Sequence, residues 1–252
     1  GIRLFSMRTA EDAGRVEKLG IPSQKIHVTG NIKFDALAPT AQTGAKNEKV
    51  ALVVFGSTRP GDEEPALDAV AQLVKEVPGA RFVLAPRHLN RCQEIIAMIK
   101  NRGLAFKLRS QMDKECDANQ VALILLARMG ELNRYYAQSC MAFVGGGFDP
   151  ELGGQNILEP AVFGQPVIFG PHMDNFAEEA RLLSANGGGI QISGPDQLYP
   201  TLLKLLTNPE ERRRLGDLAA ETVKNNSGAL DRNIALIENL LNHIGEPRIG
   251  SK

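Results

Sequence analysis

Two glycine clusters a few residues apart carry the densest chemical signal in this 252-residue sequence: Phe143-Val144-Gly145-Gly146-Gly147, then Gly153-Gly154-Gln155-Asn156-Ile157-Leu158-Glu159-Pro160-Ala161. Glycine lets backbone come close to a ligand without side-chain obstruction. Asn156 is placed to cap a helix beginning at Ile157, and Pro160 falls within that helix's first turn, where the missing N–H costs little. Exposed N–H groups and the helix dipole at such a start stabilise a phosphate. Glu159, one turn in, can accept two hydrogen bonds from a ribose diol while ionised. A flexible glycine loop followed by a capped helix is the competing reading, and the convergence of polar residues favours binding.

Three further loops carry groups suited to a nucleotide. Gly56-Ser57-Thr58-Arg59-Pro60-Gly61-Asp62 offers a close approach, two hydroxyls and a helix start. Pro86-Arg87-His88 aims a permanently charged fork and an imidazole from a fixed turn, as a phosphate contact requires. Met129-Gly130-Glu131-Leu132 opens a helix where a base or ribose can meet backbone N–H groups, although a glutamate there is also favourable for dipole reasons alone. Gly170-Pro171-His172 with Asn175-Phe176 follows another apolar run. His27 reads as a structural histidine in a short strand, Lys33 could face a cleft between domains, and Lys204 with Arg212, Arg213 and Arg214 reads as a solvated helix face. GxSxG, P-loop, HExxH and paired CxxC patterns are absent, which lowers the hydrolase, NTPase and zinc-enzyme readings.

These loops must be held by a scaffold, and the apolar pattern names it. Short β-branched runs at 50–55, 81–85, 104–108, 121–126, 141–144, 166–169 and 189–192 alternate with helical periods at 63–77 and 91–101. That alternation predicts a Rossmann-like α/β domain, a parallel sheet with flanking helices, whose ligand sits at the carboxyl ends of the strands. Helical patterns at 196–206, 209–225 and 229–243 close the chain. At the other end, a helix around 11–19 and a strand at 25–28 precede a polar stretch at 38–47. The segment at 1–35 reads either as an N-terminal extension of a single domain or as the remnant of a preceding domain with its interdomain segment; the division that follows from the second is a remnant at 1–35, a linker at 36–48 and a nucleotide-binding Rossmann-like domain at 49–252.

Composition bounds the partners. The 29 Lys and Arg offset the 29 Asp and Glu, so no overall field draws the chain to nucleic acid or an anionic membrane. Cys92, Cys116 and Cys140 are widely spaced with no partnering pattern and read as reduced, cytosolic thiols. No run approaches the apolar length of a membrane span, and the expectation is a soluble chain that uses no metal.

Together the blocks Val28-Thr29-Gly30-Asn31-Ile32-Lys33-Phe34-Asp35, Gly56-Ser57-Thr58, Pro86-Arg87-His88, Met129-Gly130-Glu131-Leu132, Phe143-Val144-Gly145-Gly146, the 153–161 segment and Gly170-Pro171-His172 resemble, in order and spacing, the C-terminal part of the 3-deoxy-D-manno-octulosonic acid (Kdo) transferases. The resemblance runs from about residue 5 to about residue 243. It implies the C-terminal domain of a GT-B glycosyltransferase that passes Kdo from CMP-Kdo to the lipid A precursor of lipopolysaccharide, releasing CMP. It also implies that Ser57, Pro86, Arg87, Met129, Gly130, Glu131, Asn156, Ile157, Leu158 and Glu159 hold the nucleotide, and that Lys33 stabilises the charge developing during transfer. In the same terms, the general base, the lipid acceptor's contacts and the membrane-associating surface belong to an N-terminal domain nearly all absent here. The full-length protein would then work at the cytoplasmic face of the inner membrane, while this fragment binds nucleotide without transferring sugar.

The chain departs from the family at Arg59, where a histidine is usual, and at Ala127-Arg128, where Asp-Thr is usual. Two other functions stay open on the sequence: a GT-B transferase or epimerase using a UDP-sugar, and a nucleotide-binding module without chemistry.

Overall fold

The computed structural model describes residues 2–35, 51–111 and 121–245. The expected linker at 36–48, Val50 at the head of the first expected strand and Cys116 lie outside the described residues. In chain order the elements are β1 (Phe5–Met7), α1 (Ala10–Lys18), β2 (Ile26–Val28), β3 (Leu52–Thr58), α2 (Glu63–Glu76), β4 (Arg81–Pro86), α3 (Cys92–Asn101), β5 (Phe106–Leu108) and β6 (Leu123–Leu125). They continue with α4 (Leu132–Gln138), β7 (Met141–Val144), α5 (Leu158–Ala161), β8 (Val167–Phe169), α6 (Ala177–Asn186), β9 (Gly189–Gln191), α7 (Leu198–Thr207), α8 (Pro209–Asn226) and α9 (Ala229–Gly245).

Two compact units result: residues Gly1–Ala38 with Val223–Lys252, and residues Pro39–Thr222. The larger unit holds a sheet of order β5-β6-β4-β3-β7-β8-β9 in which every pair is parallel. All seven strands expected from the apolar runs are present. They read as continuous apolar runs because both faces of the sheet are covered. Val53 and Phe55 pack with Leu67, Val70 and Leu73 of α2 on one face, while Val54 between them packs with Tyr136 of α4 on the other. Phe55 anchors the centre, its ring 6.4 Å from Phe82 and 6.2 Å from Phe143. Truncating so buried a ring to alanine costs about 3–5 kcal/mol.

From β3 the chain builds β4, β5 and β6 on one side and then crosses to build β7, β8 and β9 on the other. Such a reversal leaves a crevice outside the carboxyl ends of the central strands, here β3 and β7.

The smaller unit pairs β1 with β2 in parallel, from Phe5 with Ile26 to Met7 with Val28. Thr9 caps α1 by accepting from the Asp12 N–H at 3.0 Å. The carboxylate of Asp35 accepts from the backbone N–H of Gly228 and, at 2.7 Å, of Leu230, capping α9, while Arg232 Nε donates to the Thr29 carbonyl at 2.7 Å. Residues beyond Thr222 thus group with the first segment, whereas the sequence assigned them to the sheet domain.

Other details also differ from expectation. Strand β1 and helix α6 were not foreseen, since three residues are too few to show a period and the sequence before α6 opens with a 3₁₀ turn, Asp174–Phe176. Arg212 is more than a solvated charge, because it donates to the Leu205 carbonyl at 2.8 Å and so satisfies the end of α7. Among the described residues, Cys92 and Cys140 are not joined to each other in a disulfide. Among the described residues no helix is long and apolar enough to cross a membrane.

Candidate functional site

The end of β3 is distorted where the site begins. Its register with β4 shifts between Gly56 and Thr58, and Ser57 takes a φ of 53°, the one positive φ among the described non-glycine residues. A serine held in the left-handed region costs energy that its surroundings must supply, and such residues cluster at ligand sites. Two close approaches surround it. A Cβ on Gly56 would lie 2.6 Å from Cζ of Tyr136, so only glycine lets that ring lie against β3. A Cβ on Gly145 would lie 2.7 Å from Cα of Thr58, so the loop after β7 can rest directly on the loop after β3.

Asp62 fastens these two loops. Its Oδ2 accepts from the backbone N–H of Arg59 and of Gly146, each at 2.7 Å, in a setting that leaves the residue 1% exposed. Burial pushes its carboxyl up to about 7, and the two N–H donors only partly oppose that rise.

Above this floor lies a cleft of ≈ 220 Å³. Ser57 forms one wall, Ala85, Pro86 and Arg87 at the end of β4 a second, and Leu126, Arg128, Met129, Gly130, Leu132 and Asn133 after β6 a third. Glu159, on the single turn α5, closes it. Arg87 is held through its backbone N–H, which donates to the Thr58 carbonyl at 2.9 Å. Burial raises the Glu159 carboxyl above its ordinary value, while the Asn156 amide, 3.4 Å away, and the charge of Arg87 pull it back. Tyr136 lies behind Glu159. Burial pushes its phenol well above the usual value, Glu159 adds to that rise, and its hydroxyl has no hydrogen-bond partner among the described residues.

Six of the ten residues assigned to nucleotide from the sequence line this cleft: Ser57, Pro86, Arg87, Met129, Gly130 and Glu159. The other four are placed differently. The side chains of Ile157 and Leu158 are fully buried in the core. Asn156 acts locally, its Oδ1 accepting from the Leu158 N–H at 3.2 Å, and the helix it precedes starts at Leu158 and runs only four residues. A single turn sums few peptide dipoles, so the phosphate-binding helix start expected there is much weaker than a full helix would be. Glu131 is engaged by Arg109 Nε at 2.9 Å and by Arg128 at 3.4 Å, which turns its carboxylate into an ion-pair partner at the cleft's edge. Lys33 lies in the smaller unit, in the 3₁₀ turn Ile32–Phe34, with its N–H donating to Asn31 Oδ1 at 3.1 Å.

Sequence reasoning missed Asp62 and Arg128. The first was hidden in what read as an ordinary helix start, although an acidic residue beside Gly61 in a strand-end loop was the available signal. The second is Arg128, named only as a departure, which stands on the cleft wall with its side chain 68% exposed.

A family model described as 3-deoxy-D-manno-octulosonic-acid transferase (kdotransferase) matches residues 1–36. The 3-deoxy-D-manno-octulosonic acid transferase of Chlamydophila psittaci is 32% identical over 236 residues, covering 90% of this chain and 53% of that protein. The corresponding transferase of Haemophilus influenzae is 34% identical over 246 residues, covering 94% and 57%. The chain thus spans about half the length of the relatives it matches. Among solved structures, the C-terminal CMP-Kdo binding domain of WaaA from Acinetobacter baumannii aligns with a TM-score of 0.65 at 26% identity, over 76% of this chain and 96% of that one. The S. aureus MnaA–UDP co-structure aligns with a TM-score of 0.63 at 16% identity over 99% of this chain and 64% of that one, a likeness of fold alone. The seven-stranded parallel sheet with helices on both faces is the Rossmann-like fold of a GT-B C-terminal domain.

Proposed function

We propose that this chain, a relative of the Kdo transferases along nine-tenths of its length, binds CMP-Kdo in the cleft at the ends of β3, β4 and β6 for transfer of Kdo to a lipid A precursor. The observation that carries this reading is the convergence on one cleft of Ser57, Arg87, Met129 and Glu159, drawn from four distant segments.

Each group has a task that its chemistry suits. Glu159, ionised, accepts hydrogen bonds from the two ribose hydroxyls. Arg87, exposed and fixed by its backbone, offers a fork of donors to the single phosphate of CMP, whose charge grows as the sugar leaves. Met129, 59% exposed, presents a polarisable thioether to the flat face of a pyrimidine. Transfer inverts the anomeric carbon: the acceptor hydroxyl attacks as CMP departs, a carboxylate outside this cleft takes the hydroxyl proton, and Lys33 offsets developing charge.

Calorimetric titration of the chain with CMP and with UDP tests the reading. CMP is expected to bind and UDP to bind about tenfold more weakly, the difference that one misplaced phosphate costs a site built for another. Glu159→Ala is expected to weaken CMP by about tenfold, equivalent to about 1.4 kcal/mol. For wild type, affinity falls as pH drops through the raised carboxyl value of Glu159, because the protonated acid accepts fewer hydrogen bonds. Glu159→Gln flattens that fall. Equal binding of both nucleotides, or an unchanged Kd in Glu159→Ala, would sink the proposal.

A further inference from the structure

The sugar of CMP-Kdo carries a charge that the hexose of a UDP-sugar lacks. Kdo is an ulosonic acid, so a carboxylate is bonded directly to the anomeric carbon that also carries the phosphate ester. A site for it must meet two negatively charged groups attached to the same carbon, where a site for a UDP-hexose meets none on the sugar. Among the residues that line the cleft, Arg87 faces Glu159 and serves the phosphate in the proposed binding, while Arg128 stands at the adaptable outer edge, largely in solvent beside Glu131. The second charge needs another partner.

Arg59 has the required features. It lies two residues beyond the bulged Ser57 of the cleft wall, in the same strand-end loop, and its backbone N–H is held by Asp62 at 2.7 Å. Its side chain runs along the glycine loop after β7: its Cγ lies 3.5 Å from where a Cβ of Gly146 would be, with Gln155 against the same glycine at 3.2 Å. The guanidinium Nε is buried and has no hydrogen-bond partner among the described residues. A buried, permanently charged donor left unpaired is costly, and a ligand acceptor that meets it recovers that cost. A carboxylate meets a guanidinium side-on through Nε and one terminal nitrogen, forming two parallel charge-assisted bonds.

We propose that Arg59 is the specificity residue for the donor sugar, pairing through Nε with the carboxylate on the anomeric carbon. The inference rests on the reading of the cleft as a CMP-Kdo site. Asp62 then has a second consequence: by binding the backbone N–H groups of both Arg59 and Gly146 it sets the distance between the guanidinium and the glycine loop that the sugar must pass. A histidine at this position would offer one donor in place of a fork, and only when correctly protonated.

The test is a titration of the chain with three ligands: CMP, a hydrolysis-resistant CMP-Kdo analogue, and the same analogue with its carboxylate converted to a carboxamide. Wild type is expected to prefer the acid over the amide by about tenfold, the worth of a bidentate charge-assisted pair. Arg59→Met is expected to reduce that preference to within about twofold while leaving CMP affinity unchanged within about twofold, and Arg59→Lys, a charge without the fork, to fall between. Melting curves confirm that each variant folds. A preference that survives in Arg59→Met, or a wild type indifferent to the carboxylate, overturns the assignment while leaving the nucleotide site intact. Failure of wild type to bind CMP overturns the proposed function, and this assignment with it.

Discussion

The floor of the cleft and its rim manage a carboxylate in opposite ways. At the floor, Asp62 is almost wholly buried and is met by two backbone N–H groups on a single oxygen. At the rim, Glu131 is met by two arginine side chains, Arg109 and Arg128, the latter largely in solvent. Backbone donors cannot move without moving the chain, so Asp62 locks two loops into one geometry and accepts the burial penalty for doing so. Arginine side chains can release and re-pair, so the rim is adjustable and each of its contacts is weak. A ligand should therefore find the sugar-phosphate end of the site preformed and the outer end adaptable.

The largest test of that contrast is pH. Because burial pushes the folded Asp62 carboxyl up to about 7 from its ordinary 3.8, the folded state holds a proton between roughly pH 4 and 7 that the unfolded chain has already lost. Stability contributed at this position is therefore present at low pH, falls as pH rises through that window, and is flat above it, an effect on the order of 4 kcal/mol. Urea melts of wild type and Asp62→Asn at pH 4.5 and 7.5 measure it, with the fall expected to shrink by about that amount in Asp62→Asn while the raised Glu159 carboxyl keeps its own share. Identical pH dependence in both proteins would mean that the floor is not strained by its carboxylate.

Gly145→Ala attacks the same floor by packing. The added methyl would lie 2.7 Å from Cα of Thr58, and backbone has to shift, so a loss of about 1–3 kcal/mol in unfolding free energy is expected together with weaker CMP binding. A stable Gly145→Ala protein with wild-type affinity would show that the two loops are free to separate.

At the rim the expected effects are small. Arg128→Thr removes an exposed pair with Glu131 and should change stability by less than about 0.5 kcal/mol. Its effect on CMP affinity should be a few-fold at most and should fade in high salt, as an exposed charge's does. A tenfold loss that persists at 1 M salt would place Arg128 among the fixed groups and erase the distinction between rim and floor.

Much of the fold was legible along the chain. Apolar runs located every strand of the large sheet even where their ends differed, as with 121–126 against Leu123–Leu125 and 50–55 against Leu52–Thr58. Strand-end loops likewise located Ser57, Arg87, Met129 and Glu159. What the chain did not show is that the fold sends neighbours in sequence opposite ways. Ile157 and Leu158 sit between Asn156 and Glu159 in a polar-looking motif, yet burial of their side chains in the core is what orients Glu159 toward the cleft. Glu131 could not be separated from its neighbours Met129 and Gly130 without knowing that Arg109, 22 residues earlier, stands beside it.

By itself, then, the sequence determined the class of fold, the loops that carry chemistry and the likeness to Kdo transferases, because hydrophobic periodicity, turn residues and motif order are properties of consecutive residues. Tertiary structure decided which of those loops meet. The order of parallel strands sets Ser57, Arg87, Met129 and Glu159 around one space, the bond from Asp62 to Gly146 spans 84 residues, and Asp35 reaches 193 residues to Gly228 to bring α9 into the first unit. Those contacts depend on crossover topology and on which buried polar groups find partners, and neither is written in any local stretch of chain.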